Sequence, residues 1–119
     1  MLQFAIKAGG GPPAGFYKGT FQTVETTEHE EFGPGLKFVF AISEGDHKGE
    51  SATRITGSEP TPKNAAGRMI SGISGETLTP EKSVDLTPFV GREYLLQVED
   101  CKSGNGTRVV TVMPNWAKP

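Results

Sequence analysis

The sequence predicts an all-β fold with one short helix, and three observations support that class. Glycine and proline are abundant, with Gly 16 and Pro 9 in 119 residues, and hydrophobic residues make up only 34% of the chain. Apolar and polar residues alternate along residues 36–42, as they do in a half-buried strand. An Asn105-Gly106 pair, typical of a tight hairpin turn, lies between two further apolar segments. Together these features indicate a small β protein with many turns rather than a helical bundle.

The first three predicted elements are strands. Strand 1 covers about residues 16–26, where Gly19 eases a bend and Val24 interrupts the apolar alternation, which predicts a β-bulge. Strand 2 covers residues 36–42 and has the most regular alternation in the chain. Strand 3, about residues 50–56, is only weakly apolar. The predicted core consists of the apolar face of strand 2 together with Phe21, Phe38, Phe40 and Phe89.

A short amphipathic helix follows the third strand. Thr61 is suited to the N-cap and Pro62 to the first helical position. Gly72 or Gly75 is expected to end the helix. Its apolar face has helical spacing and is formed by Ala66, Met69, Ile70 and Ile73.

The last predicted elements are a capped turn at residues 85–91 and a hairpin of two strands, residues 94–99 and 108–113. The complete order, β-β-β-α-β-β, is that of a five-stranded OB-fold-like Greek-key barrel, a fold that commonly binds oligonucleotides or oligosaccharides. Residues 15–114 form the predicted domain. Residues 1–14, with three consecutive glycines and two prolines, are a predicted flexible lead-in, and residues 115–119 are a short C-terminal tail.

The charge balance limits the classes of partner. Twelve Lys and Arg against fourteen Asp and Glu give a net charge of -2. This argues against binding duplex nucleic acid through bulk positive charge, but it permits binding of a single strand in one basic groove with aromatic stacking. Cys101 is the only cysteine, which excludes an intrachain disulfide and fits a reducing cytoplasm. No apolar run approaches the ~20 residues that span a bilayer, and we expect a cytoplasmic protein with no membrane partner.

Catalytic residues in a recognisable arrangement are absent from the sequence. His29 and His47 are the only histidines, and both fall in predicted turns. His29 lies in an acidic loop, residues 25–31, that could be considered for a divalent metal, but acidic side chains on a hairpin tip diverge into solvent. No hydrolase, kinase or dinucleotide motif occurs. We expect a protein that is not an enzyme, with no metal and no cofactor.

A binding surface is the better-supported expectation. The predicted phosphate contacts are the cations Lys18, Lys37, Arg54, Lys102 and Arg108, of which the first three are expected to face outward from their strands. The predicted stacking residues are Tyr17 and Trp116. Phe16 or Tyr17 faces outward, depending on the strand register. The expected function is binding of single-stranded DNA.

Two alternatives stay open. The acidic 25–31 loop would repel phosphates, and it or an exposed strand edge would suit a protein-interaction or assembly module, including self-association. A carbohydrate-binding barrel has only the fold in its favour.

Several segments also resemble a known family. They are Gly15-Phe16-Tyr17, residues 36–45 followed by Gly49, Thr61-Pro62-Lys63, residues 89–92 and Val98-Glu99. Across about residues 15–114 the chain resembles small phage and prophage proteins that are treated as OB-fold, single-stranded-DNA-binding-like replication accessories. The resemblance implies an OB barrel and a role in DNA replication or recombination. The chain departs from it in two places: the tail lacks an acidic tip, and the three-glycine lead-in has no counterpart.

Overall fold

The predicted order of elements is confirmed by a computed structural model that describes residues 12–30, 33–101 and 106–115. Five strands, one α-helix and one short 3-10 turn are present among these residues. They are β1 (Gly15–His29), β2 (Gly33–Ile42), β3 (Ser51–Gly57), α1 (Ala65–Ser74), the 3-10 turn (Thr87–Phe89), β4 (Glu93–Asp100) and β5 (Thr107–Pro114).

The strands form one antiparallel sheet in the order β3-β2-β1-β4-β5. β1 is long because it pairs twice, with β4 along its first residues and with β2 along the rest. The two pairings overlap at Gly19 and Thr20. At Gly19 a Cβ atom would lie 2.8 Å from Leu96 Cδ1 and 3.0 Å from Ala41 O. Glycine therefore permits both neighbours to approach the bend. No ladder closes the sheet between β3 and β5 in the described structure.

The predicted bulge in strand 1 is confirmed. Phe21 pairs with Phe40 and Thr23 with Val39, so Gln22 is the extra residue of β1. A second irregularity lies between β4 and β5, where Val98 pairs with Val109. Bulges increase the local twist of a strand, and both therefore help the sheet to curl around its core.

The core lies on one face of the curled sheet. Phe21, Phe38 and Phe40 are buried as predicted, while Phe89 is only half-buried against them. Further buried side chains come from every strand and from α1; the largest are Ile42, Ile73, Tyr94, Leu96, Val98 and Val109. The Tyr94 hydroxyl donates to the Ile73 carbonyl at 2.5 Å. This bond ties α1 to the sheet.

α1 begins later than predicted. Its N-cap is Asn64, whose Oδ1 accepts from the Gly67 N–H at 2.9 Å. Thr61 instead shapes the preceding turn, because its Oγ1 accepts from the Asn64 N–H at 3.2 Å. The helix ends at Gly75, with a left-handed φ of 71° and an N–H that donates to Ser71 O. Gly72, the other predicted terminator, is internal.

The chain before β1 is described only from Pro12. Pro12 is buried, and its carbonyl accepts from the Thr107 hydroxyl of β5. The rest of the predicted lead-in, residues 1–11, and tail residues 116–119 lie outside the described residues. None of the helices that are described is long and apolar enough to cross a membrane.

Candidate functional site

The first predicted cation, Lys18, lies on the outer face of β1 beside an open groove. The groove has a volume of about 540 Å³ and is lined by Phe16, Tyr17, Lys18, Leu95 and residues 44–47. Lys18 Nζ lies 3.3 Å from Glu44 Oε1, and both side chains are exposed. An exposed pair contributes only ~0–1 kcal/mol. Lys18 can therefore exchange Glu44 for a ligand anion with little loss of stability.

The exposed aromatic of this groove is Phe16, not Tyr17. Phe16 is 76% exposed on the outer face of β1. Tyr17 packs against the core, donates its hydroxyl to Pro13 O at 2.6 Å and meets the His47 ring edge-on at 5.7 Å between centroids. Burial, and then the charge of Glu50, raises the pKa of Tyr17. Phe16 thus offers an open ring face for stacking, whereas the Tyr17 ring is held against the protein.

Lys37 lies on the outer face of β2. Its cross-strand neighbours are Glu25 on β1 and Ile55 on β3. Ile55 is 62% exposed, so Lys37 sits between an acidic and an apolar side chain. Lys37 takes part in no ion pair with the described residues. Its ammonium group is available to a ligand.

Arg54 lies on the inner side of β3, where the sequence analysis expected an outward side chain. It shares that side with the buried residues Ala52 and Thr56, and its cross-strand neighbour is the buried Phe38. Its Nη1 donates to the carbonyl of Val109 at 3.2 Å. This contact links the two edge strands, β3 and β5, because the half-buried side chain spans the space between them.

Arg108 lies at the start of β5. Its cross-strand neighbour is Glu99, but the Glu99 carboxylate accepts a hydrogen bond from Gln97 Nε2 at 3.1 Å and makes no ion pair with Arg108. The Nε atoms of Arg54 and Arg108 are both buried without a hydrogen-bond partner. A buried donor without an acceptor costs ~1–3 kcal/mol. These two donors are the only such side-chain atoms in the described residues.

Arg68 on α1 is a further cation of this region that was not predicted from the sequence. Arg68 and Arg54 line one small cavity together with Ala65, Met69 and Val110. The exposed Arg68 side chain donates from Nη1 to Lys63 O at 2.7 Å. Burial, then Arg108 and then Arg68, lowers the pKa of Arg54. In the sequence, the one indication that Arg68 approaches the sheet is its position next to Met69, which belongs to the apolar face of the predicted helix.

The remaining predicted residues fall at the limits of the described chain. Lys102 and Trp116 lie outside the described residues. Of the acidic 25–31 loop, Glu25, Glu28 and Glu30 are described and exposed. The outer surface around Lys37 therefore carries charges of both signs. In the described chain, no group of three or more His, Cys, Asp or Glu is placed to hold a metal ion.

No model of a known protein family matches the chain, and no characterised protein matches it either.

Proposed function

We propose that the chain is an OB-fold-like barrel that binds single-stranded DNA with little sequence preference, as an accessory of replication or recombination. Two structural features support the fold. The strand order β3-β2-β1-β4-β5, with a helix between β3 and β4, is compatible with a Greek-key barrel. The Arg54–Val109 hydrogen bond joins the two strands that would meet on closure.

The observation that supports DNA binding most directly is the arrangement of unpaired cations. Lys37, Arg54 and Arg108 lie on β2, β3 and β5, which follow one another around the curled sheet once β3 and β5 are adjacent. None of the three forms an ion pair with another described residue. Lys37 faces outward and Arg54 faces the seam with β5, so phosphates of a single strand can neutralise both where the strand passes over β3.

Phe16 supplies the stacking surface of the proposed site. Its cross-strand neighbour on β4 is Gln97, and Gln97 is bonded to Glu99, the cross-strand neighbour of Arg108. A base stacked on an aromatic ring contributes ~1–3 kcal/mol with little dependence on sequence. Phe16 therefore lies two strands away from Arg108 in the sheet.

The test is the salt dependence of binding to fluorescent oligo-dT, followed by anisotropy. The wild-type chain is expected to bind at low salt, with an affinity that falls linearly on a log–log plot. Lys37→Ala is expected to reduce the magnitude of the slope by about 0.7, because one phosphate contact is lost from a single strand. Lys82→Ala is the matched control, since Lys82 pairs with Glu76 at 3.2 Å in a surface loop. Absence of binding at low salt, or equal effects of the two variants, contradicts the proposal.

A second candidate function is self-association through an apolar patch. Phe16, Leu95 and Met113 are 76%, 36% and 46% exposed on the neighbouring strands β1, β4 and β5. Leu95 and Met113 are direct cross-strand neighbours, and Phe16 is diagonal to Leu95. An exposed apolar cluster of this kind suits a second copy of the chain.

Sedimentation velocity over a range of protein concentrations tests this second function. Self-association that weakens in Met113→Ser, but not in the control Ile55→Ser on β3, supports it. A wild-type chain that stays monomeric at every concentration excludes it.

A further inference from the structure

Arg54 of β3 lies near two other arginines, Arg68 of α1 and Arg108 of β5. Arg54 projects from β3 toward β5, and Arg68 lines the same small cavity from α1. Arg108 lies near enough to Arg54 to disfavour its charged form, and Arg68 does the same more weakly. Like charges that repel one another at close range are unfavourable unless an anion lies between them.

No carboxylate of the described chain neutralises this cluster. None of the three guanidinium groups forms an ion pair with a described residue. The nearest carboxylate along the β4–β5 pairing, that of Glu99, is bonded to Gln97. Among the described residues, only Cys101 favours the charged form of Arg54 electrostatically. The cluster therefore keeps a net positive charge.

The cluster also contains donors without acceptors. Nε of Arg54 and Nε of Arg108 are both buried and have no hydrogen-bond partner. Each guanidinium has five N–H donors in a planar fork that matches two oxygens of a phosphate. A ligand with several acceptor oxygens satisfies the free donors and offsets the repulsion at the same time.

We propose that Arg54, Arg68 and Arg108 form a binding site for one phosphate group, and that on single-stranded DNA this group is a phosphodiester of the bound strand. The identification of the strand rests on the proposed function; the phosphate site itself does not. A tetrahedral phosphate presents more oxygens than a carboxylate and can meet three guanidinium groups that approach from three different elements.

The size of the cavity fits a phosphate that binds at its opening. Its volume is about 10 Å³, which is room for about one water-sized atom. One phosphate oxygen can enter it while the remaining oxygens, and the sugars attached to them, stay in solvent. Arg68 is exposed and can reach the phosphate from the solvent side once its guanidinium gives up the hydrogen bond to Lys63 O.

The first arm of the test uses inorganic phosphate with ¹⁵N-labelled full-length protein. The side-chain Nε–H resonances of Arg54 and Arg108 are expected to shift on titration with millimolar phosphate. Arg68→Ala is expected to weaken the apparent affinity at least threefold, while Lys82→Ala leaves it unchanged. Arg68 is exposed, so its truncation is not expected to unfold the chain. If neither Nε–H resonance moves, or if Arg68→Ala binds phosphate like the wild type, the site is refuted.

The second arm uses oligo-dT and distinguishes the source of the phosphate. Arg68→Ala is expected to weaken oligo-dT binding and to reduce the magnitude of the salt slope by about 0.7. Oligo-dT binding that is unaffected by Arg68→Ala refutes the assignment to the DNA strand, even when free phosphate binds at the cluster. If the wild type binds phosphate but not oligo-dT, the proposed function fails and the phosphate site stands. If it binds oligo-dT but shows no phosphate-dependent shift, the phosphate site fails and the proposed function stands.

Discussion

Gly67→Ala is expected to destabilise the protein although alanine is the better helix former. A Cβ atom at position 67 would lie 1.6 Å from the carbonyl oxygen of Thr61 and 2.7 Å from its carbon. Backbone atoms at these distances cannot be accommodated by a side-chain rotation, so the turn before α1 has to move. That turn is held by Asn64, whose side chain bonds to Gly67, to the Thr61 N–H and to the Glu59 carbonyl.

The expected size of the effect follows from these contacts. Loss of the Asn64 cap costs about 1 kcal/mol, and loss of its two bonds to the turn costs about 1 kcal/mol each. The higher helix propensity of alanine offsets about 1 kcal/mol. The free energy of unfolding should therefore fall by about 2 kcal/mol.

Urea denaturation followed by circular dichroism measures this change. Gly57→Ala is the matched control, because a Cβ atom there meets nothing within 4 Å and Gly57 is not among the glycines with positive φ. The control should stay within about 0.5 kcal/mol of the wild type. A Gly67→Ala protein that is as stable as the wild type, or more stable, would refute the packing of the turn against α1.

Three further predictions concern buried bonds and charge. Tyr94→Phe removes the buried hydrogen bond to Ile73 O and should lower the free energy of unfolding, measured by urea denaturation, by ~1–3 kcal/mol. A variant as stable as the wild type would contradict the presence of this bond. The backbone N–H of Thr87, and then its hydroxyl, holds the pKa of Asp85 below 3.8. The difference in the free energy of unfolding between wild type and Asp85→Ala should therefore be largest near neutral pH and shrink as the pH falls below about 4. A difference that does not change with pH contradicts this prediction. In phosphate-free buffer, the free energy of unfolding of Arg54→Met should lie within about 1 kcal/mol of the wild-type value or above it, because the substitution removes a cation that no carboxylate neutralises. A larger loss of stability would contradict this reasoning.

The strands could be predicted because their signals are local. Regular alternation along β2 identifies Phe38 and Phe40 as core residues without any knowledge of their partners. The bulge at Gln22 was detectable because a change in parity inside one strand is itself a local pattern. The C-terminal end of β1 was missed, since residues 27–29 are in the strand through their pairing with residues 33–35 of β2, which a single segment does not reveal.

The predicted start of α1 was wrong because two residues suited to the N-cap, Thr61 and Asn64, lie three positions apart. Thr61 and Asn64 can each accept a hydrogen bond from the N–H three residues ahead, so sequence preference alone does not separate them. The close approach of the Gly67 backbone to Thr61 O decides the outcome, because it folds the Thr61–Asn64 turn against the first turn of the helix. That contact depends on the three-dimensional path of the turn and has no sequence signature beyond the glycine.

The candidate site was only partly predictable for a related reason. The sequence left open whether Phe16 or Tyr17 faces outward and Tyr17 was chosen for stacking, whereas the structure exposes Phe16 and packs Tyr17 against the core. Arg54 was placed on the wrong side of β3, because an arginine between Ala52 and Thr56 gives no apolar signal for either face. The approach of Arg68 to Arg54 depends on how α1 crosses the sheet edge, which local periodicity does not determine.

The arginines near the seam between β3 and β5 are unfavourable for the stability of the fold but favourable for binding an anion. A half-buried, unpaired guanidinium weakens a protein relative to an apolar side chain of similar volume. Arg54 makes one bond to Val109 O, but that bond does not satisfy its buried Nε or remove the repulsion from Arg108. Without a ligand, an apolar side chain such as methionine at position 54 would give the fold a higher free energy of unfolding. An anion would reverse the balance, because it would pair with the donors that the fold leaves free and so stabilise the folded state by an amount that grows with the logarithm of its concentration.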